Sequence, residues 1–354
     1  MVMDRAALIG KTTPGGWTIV SIRERGSRHT GGRHSYGYIA TNDLGENAFV
    51  KVLDMRLGAG KDDDIQKALK DLATRIDCFR YEWNLAEQCN GAGLSGVIRA
   101  LEEGAFELEG DDNPVPFLVF ELADCDLREQ ADREKRFDLA FRLRVLHKSA
   151  VGLSQLHGIR IALQDMKPSN IVVFENNNSK IADLGSAHHR EIVRPGESAH
   201  VAADRAYAPL EQLYGAVGNG WESRRLVADL YLLGSIAAFL VTGIGMTQHI
   251  KMQLGHEHLW TNFNDDYEQV LPYLREAIEA ALDDISDEAD PEIADEIVRL
   301  IGYLCDPDPA LRGHPRNLEG AGGSCGLERF VSRFDVMATH AEMAVARGAR
   351  RERV

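Results

Sequence analysis

The spacing of apolar residues changes once along this chain, near residues 121–127. Before that point, short runs such as residues 17–23 and 48–53 alternate apolar and polar side chains, which is typical of half-buried strands. After it, segments such as residues 137–157 repeat their apolar side chains at helical spacing. Because every such element must bury its apolar side, this order predicts an α+β chain, with a sheet-rich part first and a mostly helical part second.

One helix interrupts the strand-rich part. Residues 62–88 carry apolar side chains at helical spacing, and the charged run before them, residues 58–64 (GAGKDDD), is typical of a linker. Residues 1–15 are expected to form a loose arm, and residues 27–37 a loop. Further strands are predicted at residues 38–41, 96–103 and 116–121, with turns at 42–47 (NDLGEN) and 109–114 (EGDDNP).

The second part is predicted to be helical apart from one small hairpin. Two apolar runs, residues 171–174 and 180–182, flank a polar turn, and a long loop follows them. Loops of that length inside a compact domain are often functional. Helices are predicted at residues 226–242, 267–285, 291–304 and 328–347, with an irregular insertion at 313–326.

Charge and cysteine content exclude several classes of protein. The 354 residues contain 40 basic and 55 acidic side chains, a net charge of −15, so phosphate backbones are repelled and nucleic acid is not expected as a partner. The five cysteines are scattered and form no CxxC pair, which argues against a disulfide framework and a cysteine zinc site.

No segment predicts a membrane protein. Asp4 and Arg5 stand where a signal peptide would need its apolar core. The most apolar stretch, residues 227–241, contains Asp229 and is too short to cross a bilayer, so we expect a buried central helix there. The chain is therefore expected to be soluble and cytoplasmic, with no membrane partner.

A compact polar motif marks the helical part. Residues 163–170 (LQDMKPSN) bring Asp165, Lys167 and Asn170 between an amphipathic helix and an apolar strand, and Asp183 follows Asn170 by 13 residues. Two carboxylates and an amide at the mouth of a hairpin suit Mg²⁺ and a phosphoryl group, because Mg²⁺ prefers oxygen ligands and few carboxylates.

These residues belong to an ordered series that resembles the protein kinase family, in its Hanks-type serine/threonine branch. LQDMKPSN is similar to that family's HRDxKxxN, and Asp183-Leu184-Gly185 to its DFG. Four more motifs follow the family's order within residues 16–335: AFVK ending at Lys51 for the lysine strand, YAPLE at 207–211 for APE, DLYLLG at 229–234 for DxWSLG, and DPALR at 308–312 for DPxxR. The motifs diverge from the family pattern and look closest to bacterial or phage-related kinases.

The resemblance implies a bilobal protein-kinase-like fold of the α+β class, with a small antiparallel β-sheet in the N-lobe and a mostly helical C-lobe. An N-terminal arm would cover residues 1–15, the N-lobe 16–120 and the C-lobe 121–335, followed by a C-terminal helix and basic tail at 336–354. Within the C-lobe, the hinge would span 121–126 and the activation segment 183–211. By the same resemblance, Glu211 and Arg312 would form a buried ion pair, and Asp229 would anchor the catalytic loop.

The resemblance also assigns catalytic and metal-binding roles. Asp165 would accept the proton of the substrate hydroxyl, and Lys167 would neutralise the moving γ-phosphate. Asn170 and Asp183 would hold Mg²⁺. Lys51 would contact the α- and β-phosphates of ATP and pair with a helix carboxylate, for which Glu82 is the first candidate and Glu87 the second.

Residues 32–39 (GRHSYGYI) resemble the family's glycine-rich phosphate loop, with His34 in place of the middle glycine. Gly32 and Gly37 would let backbone N–H groups approach phosphate, and Ile39 would cover the adenine. Tyr36 would be the aromatic residue at the loop tip.

The adenine side of the site is assigned in the same way. The backbone of Glu121 and Ala123 would hydrogen-bond to the adenine, with Phe120 as a bulky gatekeeper. Val172 would form the floor under the adenine ring. Phe120 and Val172 are equally compatible with plain core positions.

Two departures from the family pattern bear on function. Gln164 replaces an arginine that normally binds a phosphorylated activation loop, and a carboxamide cannot pair with phosphate as a cation can. We therefore expect that activation-loop phosphorylation is not the switch. Phe49 stands where a small residue normally roofs the adenine, two residues before Lys51 on the same strand face, and could crowd the nucleotide.

Three functions stay open from the sequence. The first is an ATP- and Mg²⁺-dependent protein kinase acting on serine or threonine of an unknown protein substrate. The second is a pseudokinase that binds nucleotide weakly or not at all, favoured by His34, Phe49 and Gln164. The third is a small-molecule kinase of related fold, disfavoured because Glu211 and Arg312 are both present.

Overall fold

The computed structural model describes residues 5–23, 34–57, 65–108, 111–133, 138–175, 178–196, 204–319, 323 and 325–351. Internal contacts divide the chain into two units. Unit 1 comprises residues 1–124 with Asp183–Gly185 and Val193–Glu197, and unit 2 comprises the remainder. The break after Asp124 lies beyond the expected boundary at residue 120, because Glu121 still pairs with Ala48 in the sheet of unit 1.

Unit 1 is built on a five-stranded antiparallel sheet with strand order β1-β2-β3-β5-β4. Along β3 the buried side chains alternate with part-exposed ones, so Val50 and Val52 enter the core while Phe49 and Lys51 share the opposite face. One helix, α1, follows β3. The bounds are β1 Thr18–Ile22, β2 Ser35–Thr41, β3 Asn47–Leu53, α1 Ile65–Gly91, β4 Ala100–Leu108 and β5 Asp111–Glu121.

Two predictions for unit 1 are wrong. The first residues are not a loose arm over their described part, since Leu8 is fully buried in the sheet's core and Thr12 bridges to Thr18. Strand β2 begins at Ser35 rather than residue 38, so it takes in three residues that were assigned to a loop. Its partner β3 extends that far, pairing Leu53 with Ser35. The linker at 58–64 lies outside the described residues.

Unit 2 is mostly helical, as predicted. Its most buried element is α5, in which every side chain from Val227 to Leu240 is buried. Together with the preceding turn, residues 222–242 are long and apolar enough to cross a membrane, yet 78% of that window is buried inside the protein, as in the core helix of a globular domain. The larger helices are α2 Leu127–Arg133, α3 Leu139–Gly158, α5 Val227–Thr242, α6 Met246–Gln253, α7 Tyr267–Glu288, α8 Ala294–Leu304 and α10 Glu328–Arg351; α4 Leu210–Leu213 and α9 Pro315–Leu318 are single turns.

Short strands surround the catalytic motif. Strands β6 (Cys125–Asp126), β8 (Ile171–Phe174) and β9 (Asn178–Ile181) form one small sheet, and β7 (Ile161–Ala162) pairs with β10 (His188–His189). The predicted hairpin is therefore present. Cys125 and Asp126, the last two residues of the predicted hinge, pair with β8. The insertion at 313–326 is less irregular than expected: its described part contains α9.

Candidate active site

Lys51 makes the central ion pair of unit 1. Its Nζ atom lies 2.7 Å and 2.8 Å from the two carboxylate oxygens of Glu82 and 3.2 Å from Oδ1 of Asp183. Glu82 is buried on the inner face of α1, so the structure brings the first of the two candidate carboxylates to Lys51 rather than Glu87.

The charge on Lys51 is fixed by these neighbours. Burial lowers the pKa of the Lys51 ammonium, but the negative charges of Asp183 and Glu82 outweigh burial and raise this pKa above its ordinary value. Lys51 therefore stays protonated at any physiological pH and presents a permanent positive charge on the sheet face.

Helix α1 is positioned by hydrogen bonds to two other segments of unit 1. Arg75 donates hydrogen bonds of 2.7 Å to the carbonyl oxygens of Asp54 and Arg56, just after β3. On another turn, the Cys78 thiol donates to the carbonyl oxygen of Pro195 at 3.3 Å. The neighbouring Arg194 donates to the Gly185 carbonyl oxygen at 2.8 Å and 3.1 Å, so residues of the activation segment help to position α1.

Asp183 adopts a strained backbone conformation. Its φ angle is 60°, in the left-handed region that non-glycine residues rarely occupy. The Gly185 N–H donates to its Oδ1 atom at 3.2 Å, and this atom also accepts from Lys51. The turn thereby fixes the carboxylate beside the lysine.

The catalytic motif forms a second polar group, in unit 2. Lys167 Nζ lies 3.0 Å from Oδ2 of Asp165, and Asn170 Nδ2 donates to the Asp165 carbonyl oxygen at 2.8 Å and to Oδ2 at 3.2 Å. All three side chains are buried. The spacing of Asp, Lys and Asn in the sequence thus brings the three side chains together, with Asp165 at their centre.

Asp229 anchors this loop, as expected. Its two carboxylate oxygens accept the backbone N–H groups of Leu163 and Gln164 at 2.8 Å each, and His157 Nε2 lies 2.8 Å from Oδ2. Gln164 has a φ of 65°, so the buried carboxylate of α5 stabilises a strained turn directly before Asp165.

The Gln164 side chain points into the protein. Its Nε2 atom donates to Asp229 at 3.0 Å and to the Arg225 carbonyl oxygen at 2.8 Å, while Arg225 donates to its Oε1 atom at 3.2 Å. The residue is 4% exposed, so its carboxamide is committed to internal hydrogen bonds.

Asp204 is a third charged neighbour that the sequence analysis missed. Its Oδ2 atom lies 3.9 Å from Lys167 Nζ, close to Asp165 and Asn170. No motif marks Asp204; only its place three residues before Tyr207 could have drawn attention to it.

The glycine-rich motif differs most from expectation. Gly32 lies outside the described residues, whereas Gly37 and Ile39 lie in β2. Tyr36 is not at a loop tip: it is buried, and its hydroxyl donates to Asp54 at 3.0 Å. A Cβ atom on Gly37 would meet the Phe49 ring at 2.7 Å, so this glycine makes room for Phe49.

The adenine-side residues occupy strand ends. Glu121 ends β5, where it pairs with Ala48 of β3, and its backbone N–H donates to the Arg99 carbonyl oxygen at 3.0 Å. Ala123 is buried just before the end of unit 1. Val172, in β8 of unit 2, is half-buried between the buried Ile171 and Val173.

The metal candidates offer the donor type that Mg²⁺ prefers. Asn170 uses its Nδ2 atom on Asp165, so its amide oxygen is the remaining donor, and Asp183 supplies a carboxylate that is 34% exposed. Among the residues described by the structure, no group of three or more His, Cys, Asp or Glu could hold a metal ion by itself. Each of the two residues, taken by itself, offers an oxygen of the kind that Mg²⁺ prefers.

A fully buried ion pair closes the activation segment. Arg312 NH1 and NH2 lie 2.8 Å and 2.9 Å from the two carboxylate oxygens of Glu211, and NH1 also donates to the Val227 carbonyl oxygen at 3.0 Å. The predicted pair is confirmed, and it ties α4 to the start of α5.

Comparison with known proteins agrees with this geometry. The protein kinase domain model matches residues 42–318. The chain is 26% identical over 215 residues to the probable serine/threonine-protein kinase PBL28 of Arabidopsis thaliana, covering 57% of this chain and 53% of that protein. It is 24% identical over 215 residues to the serine/threonine-protein kinase PknA of Mycobacterium tuberculosis, covering 60% of this chain and 45% of that protein.

A shorter match, 29% identical over 156 residues, covers 44% of this chain and 11% of a probable cyclin-dependent serine/threonine-protein kinase of Dictyostelium discoideum. The chain thus spans about half, or less, of the length of the curated relatives it matches. The domain match extends over well more than half of the chain, from the turn before β3 to α9. The chain belongs to the protein kinase domain family.

Proposed function

We propose that this chain is a Mg²⁺-dependent protein kinase that transfers the γ-phosphate of ATP to serine or threonine of a protein substrate. The observation that carries the proposal is the buried group around Asp165, with Lys167 at 3.0 Å and Asn170 at 3.2 Å from the same carboxylate oxygen. Asp165, held by these hydrogen bonds, can accept a proton at a fixed position, and the Lys167 ammonium lies beside it.

The proposed step is an in-line displacement. Asp165 accepts the proton of the substrate hydroxyl, the hydroxyl oxygen bonds to the γ-phosphorus, and the bond from that phosphorus to the β–γ bridging oxygen breaks, releasing ADP. Lys167 neutralises charge on the moving phosphoryl group, and Lys51 binds the α- and β-phosphates. Bound Mg²⁺ would supply further neutralisation of the phosphate oxygens, held by Asn170 and Asp183.

The ion pair of Glu211 and Arg312 supports a protein rather than a small molecule as the acceptor. In the family that the sequence resembles, small-molecule kinases usually lack both residues. Here the pair is bidentate and buried, and it fixes the end of the activation segment, the part of the chain that a protein acceptor would meet.

We further propose that activity needs no phosphate on the activation segment. Gln164 is turned inward onto Asp229 and Arg225, and Glu82 already contacts Lys51 through direct hydrogen bonds. The acidic composition and the burial of α5 support a cytoplasmic location, and the divergent motifs support a bacterial-type branch of the family.

The test is transfer of label from γ-labelled ATP and Mg²⁺ to a general phosphoacceptor protein, for the wild type beside Asp165→Asn. We expect labelled acceptor with the wild type only. Nucleotide binding without transfer by the wild type would favour the pseudokinase, and label on a small molecule alone would favour the third function. Equal label from both proteins would remove Asp165 from its proposed role.

A further inference from the structure

A half-buried arginine lies on the helix that packs against residues 168–170. Arg128, on α2, donates a hydrogen bond of 2.6 Å from NH2 to the hydroxyl of Tyr207. Its guanidinium carbon lies 5.9 Å from the centre of the Tyr207 ring and 5.8 Å from that of Phe239. Within the described part of the chain, no carboxylate lies within salt-bridge distance of this guanidinium.

The surroundings hold this cation in place. Tyr207 and Phe239 are both buried. The Tyr207 ring also packs closely against Gly245, where a Cβ atom would lie 2.8 Å from the ring. Burial raises the pKa of the Tyr207 hydroxyl, although Arg128 acts against this, so the hydroxyl stays neutral and accepts the hydrogen bond. Stacking and this bond orient the planar guanidinium while other N–H donors remain.

The position relative to the catalytic motif points to the acceptor. Tyr207 closes a turn with Asp204, whose carboxylate lies 3.9 Å from Lys167, and the ends of such a turn are within about 7 Å. Helix α2 also packs against the turn Pro168–Asn170. An extended peptide advances about 3.3 Å per residue, so a side chain only a few residues from the phosphorylated hydroxyl would reach Arg128.

We propose that Arg128 determines substrate specificity by binding an oxyanion side chain, a glutamate or aspartate, close to the phosphorylated residue of the protein substrate. This inference rests on the proposed function, because it takes the Asp165 group as the place where the acceptor hydroxyl lies. It extends that function to a substrate class: serine or threonine in an acidic sequence.

The overall charge of the protein predicts the opposite preference. With a net charge of −15, long-range electrostatics would favour a basic peptide. At about 0.15 M salt, charges more than about 8 Å apart are largely screened, so an acidic preference measured there has to come from a local cation. A preference for acidic peptides would therefore come from Arg128, whereas a preference for basic peptides would come from the net negative charge of the protein.

The experiment uses serine peptides in which one glutamate is moved along the sequence, with glutamine, lysine and phosphoserine versions of each. Transfer from ATP and direct binding by fluorescence anisotropy are measured for the wild type, Arg128→Gln, Arg128→Glu and Arg133→Glu. Arg133 is the matched control, since it lies on the same helix with its side chain exposed, and its change alters net charge equally.

At one glutamate position we expect the wild type to favour the glutamate peptide over the lysine peptide about tenfold, as one charge-assisted hydrogen bond allows. Arg128→Gln should abolish the ratio, Arg128→Glu should invert it, and Arg133→Glu should keep it. Better binding of the phosphoserine version would name phosphate as the preferred oxyanion at the same site.

An unchanged ratio in Arg128→Glu, or a wild-type preference for lysine at every position, would overturn the inference. A purely structural role for Arg128 would lower transfer to all peptides alike and leave their ratio intact. If no peptide is phosphorylated, the proposed function fails, and the binding ratio alone then decides whether Arg128 recognises an acidic segment.

Discussion

Two of the buried ion pairs in the described part of the chain, Arg312–Glu211 and Lys51–Glu82, differ in how completely their charged groups are enclosed. Arg312 and Glu211 are 0% and 3% exposed in their side chains, and the arginine also donates to two backbone carbonyls, of Val227 and Asp306. Lys51 and Glu82 are 15% and 6% exposed, and the lysine is shared with Asp183, whose side chain is 34% exposed.

From this difference in exposure we infer that Arg312–Glu211 is a structural pair and Lys51–Glu82 a functional one. A bidentate, enclosed guanidinium has no room for a ligand, so its interactions can contribute only to the fold. A lysine ammonium shared between two carboxylates, one of them partly open to solvent, can exchange partners when phosphate arrives. We therefore expect changes in the first pair to lower stability and changes in the second to lower transfer.

Breaking the enclosed pair should have the largest effect. Arg312→Ala leaves the Glu211 carboxylate buried without a cation, which costs about 3–5 kcal/mol of unfolding free energy. Urea unfolding measures this change, with Arg316→Ala, an exposed arginine nearby, as the control that should change little. The double variant Glu211→Leu/Arg312→Met should recover much of the loss. Equal losses in both arginine variants would contradict the comparison.

Removing the shared lysine should affect transfer instead. Lys51→Met deletes the cation for the α- and β-phosphates, and we expect phosphate transfer to fall about 10²–10³-fold, as for loss of one preorganised electrostatic group. Unfolding free energy should change far less than in Arg312→Ala. Lys70→Met, on the exposed side of α1, serves as the control and should transfer phosphate normally. Wild-type rates in Lys51→Met would make the pair a structural one.

The face that carries Lys51 also depends on a close packing contact. Gly37→Ala would place a Cβ atom 2.7 Å from the Phe49 ring, so we expect a loss of about 1–3 kcal/mol from overpacking. Adding Phe49→Ala should relieve it, and a double-mutant cycle by urea unfolding gives the coupling. If the losses of unfolding free energy in the two single variants simply add in the double variant, the effect of Gly37→Ala does not arise from contact with the Phe49 ring.

The smallest effect is expected at the contact between the activation segment and Gly185. Arg194→Ala removes two hydrogen bonds to the Gly185 carbonyl and should lower transfer about fivefold, close to 1 kcal/mol. Arg190→Ala, an exposed arginine of the same segment, removes the same charge without that contact and should leave the rate unchanged. A similar loss of phosphate transfer in Arg194→Ala and Arg190→Ala would mean that the positive charge, and not the contact with Gly185, is responsible.

The sequence predicted the parts of the site whose chemistry restricts residue type. Asp165, Lys167 and Asn170 stand at a spacing that few other functions require, and the order of motifs located Lys51 and Glu82. Periodicity likewise predicted the change from sheet to helix, because burial repeats every second residue in β3 and every third or fourth in α3.

Contacts made by a residue that belongs to no motif or repeated spacing could not be predicted from the sequence. Leu8 lies in a run of four apolar residues, 6–9, which is too short to show a helical or strand period, so its burial against the sheet was not predicted. Tyr36 precedes Gly37 and resembled part of a loop, but pairing with β3 extends the strand to Ser35. Asp204, Arg128 and Arg194 belong to no repeated spacing. The partners of Asp204 and Arg128 are distant in sequence, and only the fold brings them together.

We propose that carboxylate and amide contacts alone hold the residues for phosphate transfer in place, without a phosphate on the activation segment. The most direct measurement is the initial rate of transfer by phosphatase-treated protein, shown by intact mass to carry no phosphate. It is compared with the rate of Ser186→Ala, which removes the hydroxyl directly after Gly185 in the activation segment. We predict the same initial rate for treated, untreated and Ser186→Ala protein. A lag that disappears as the activation segment acquires phosphate, or a rate lost on phosphatase treatment and restored by phosphorylation, would contradict the account.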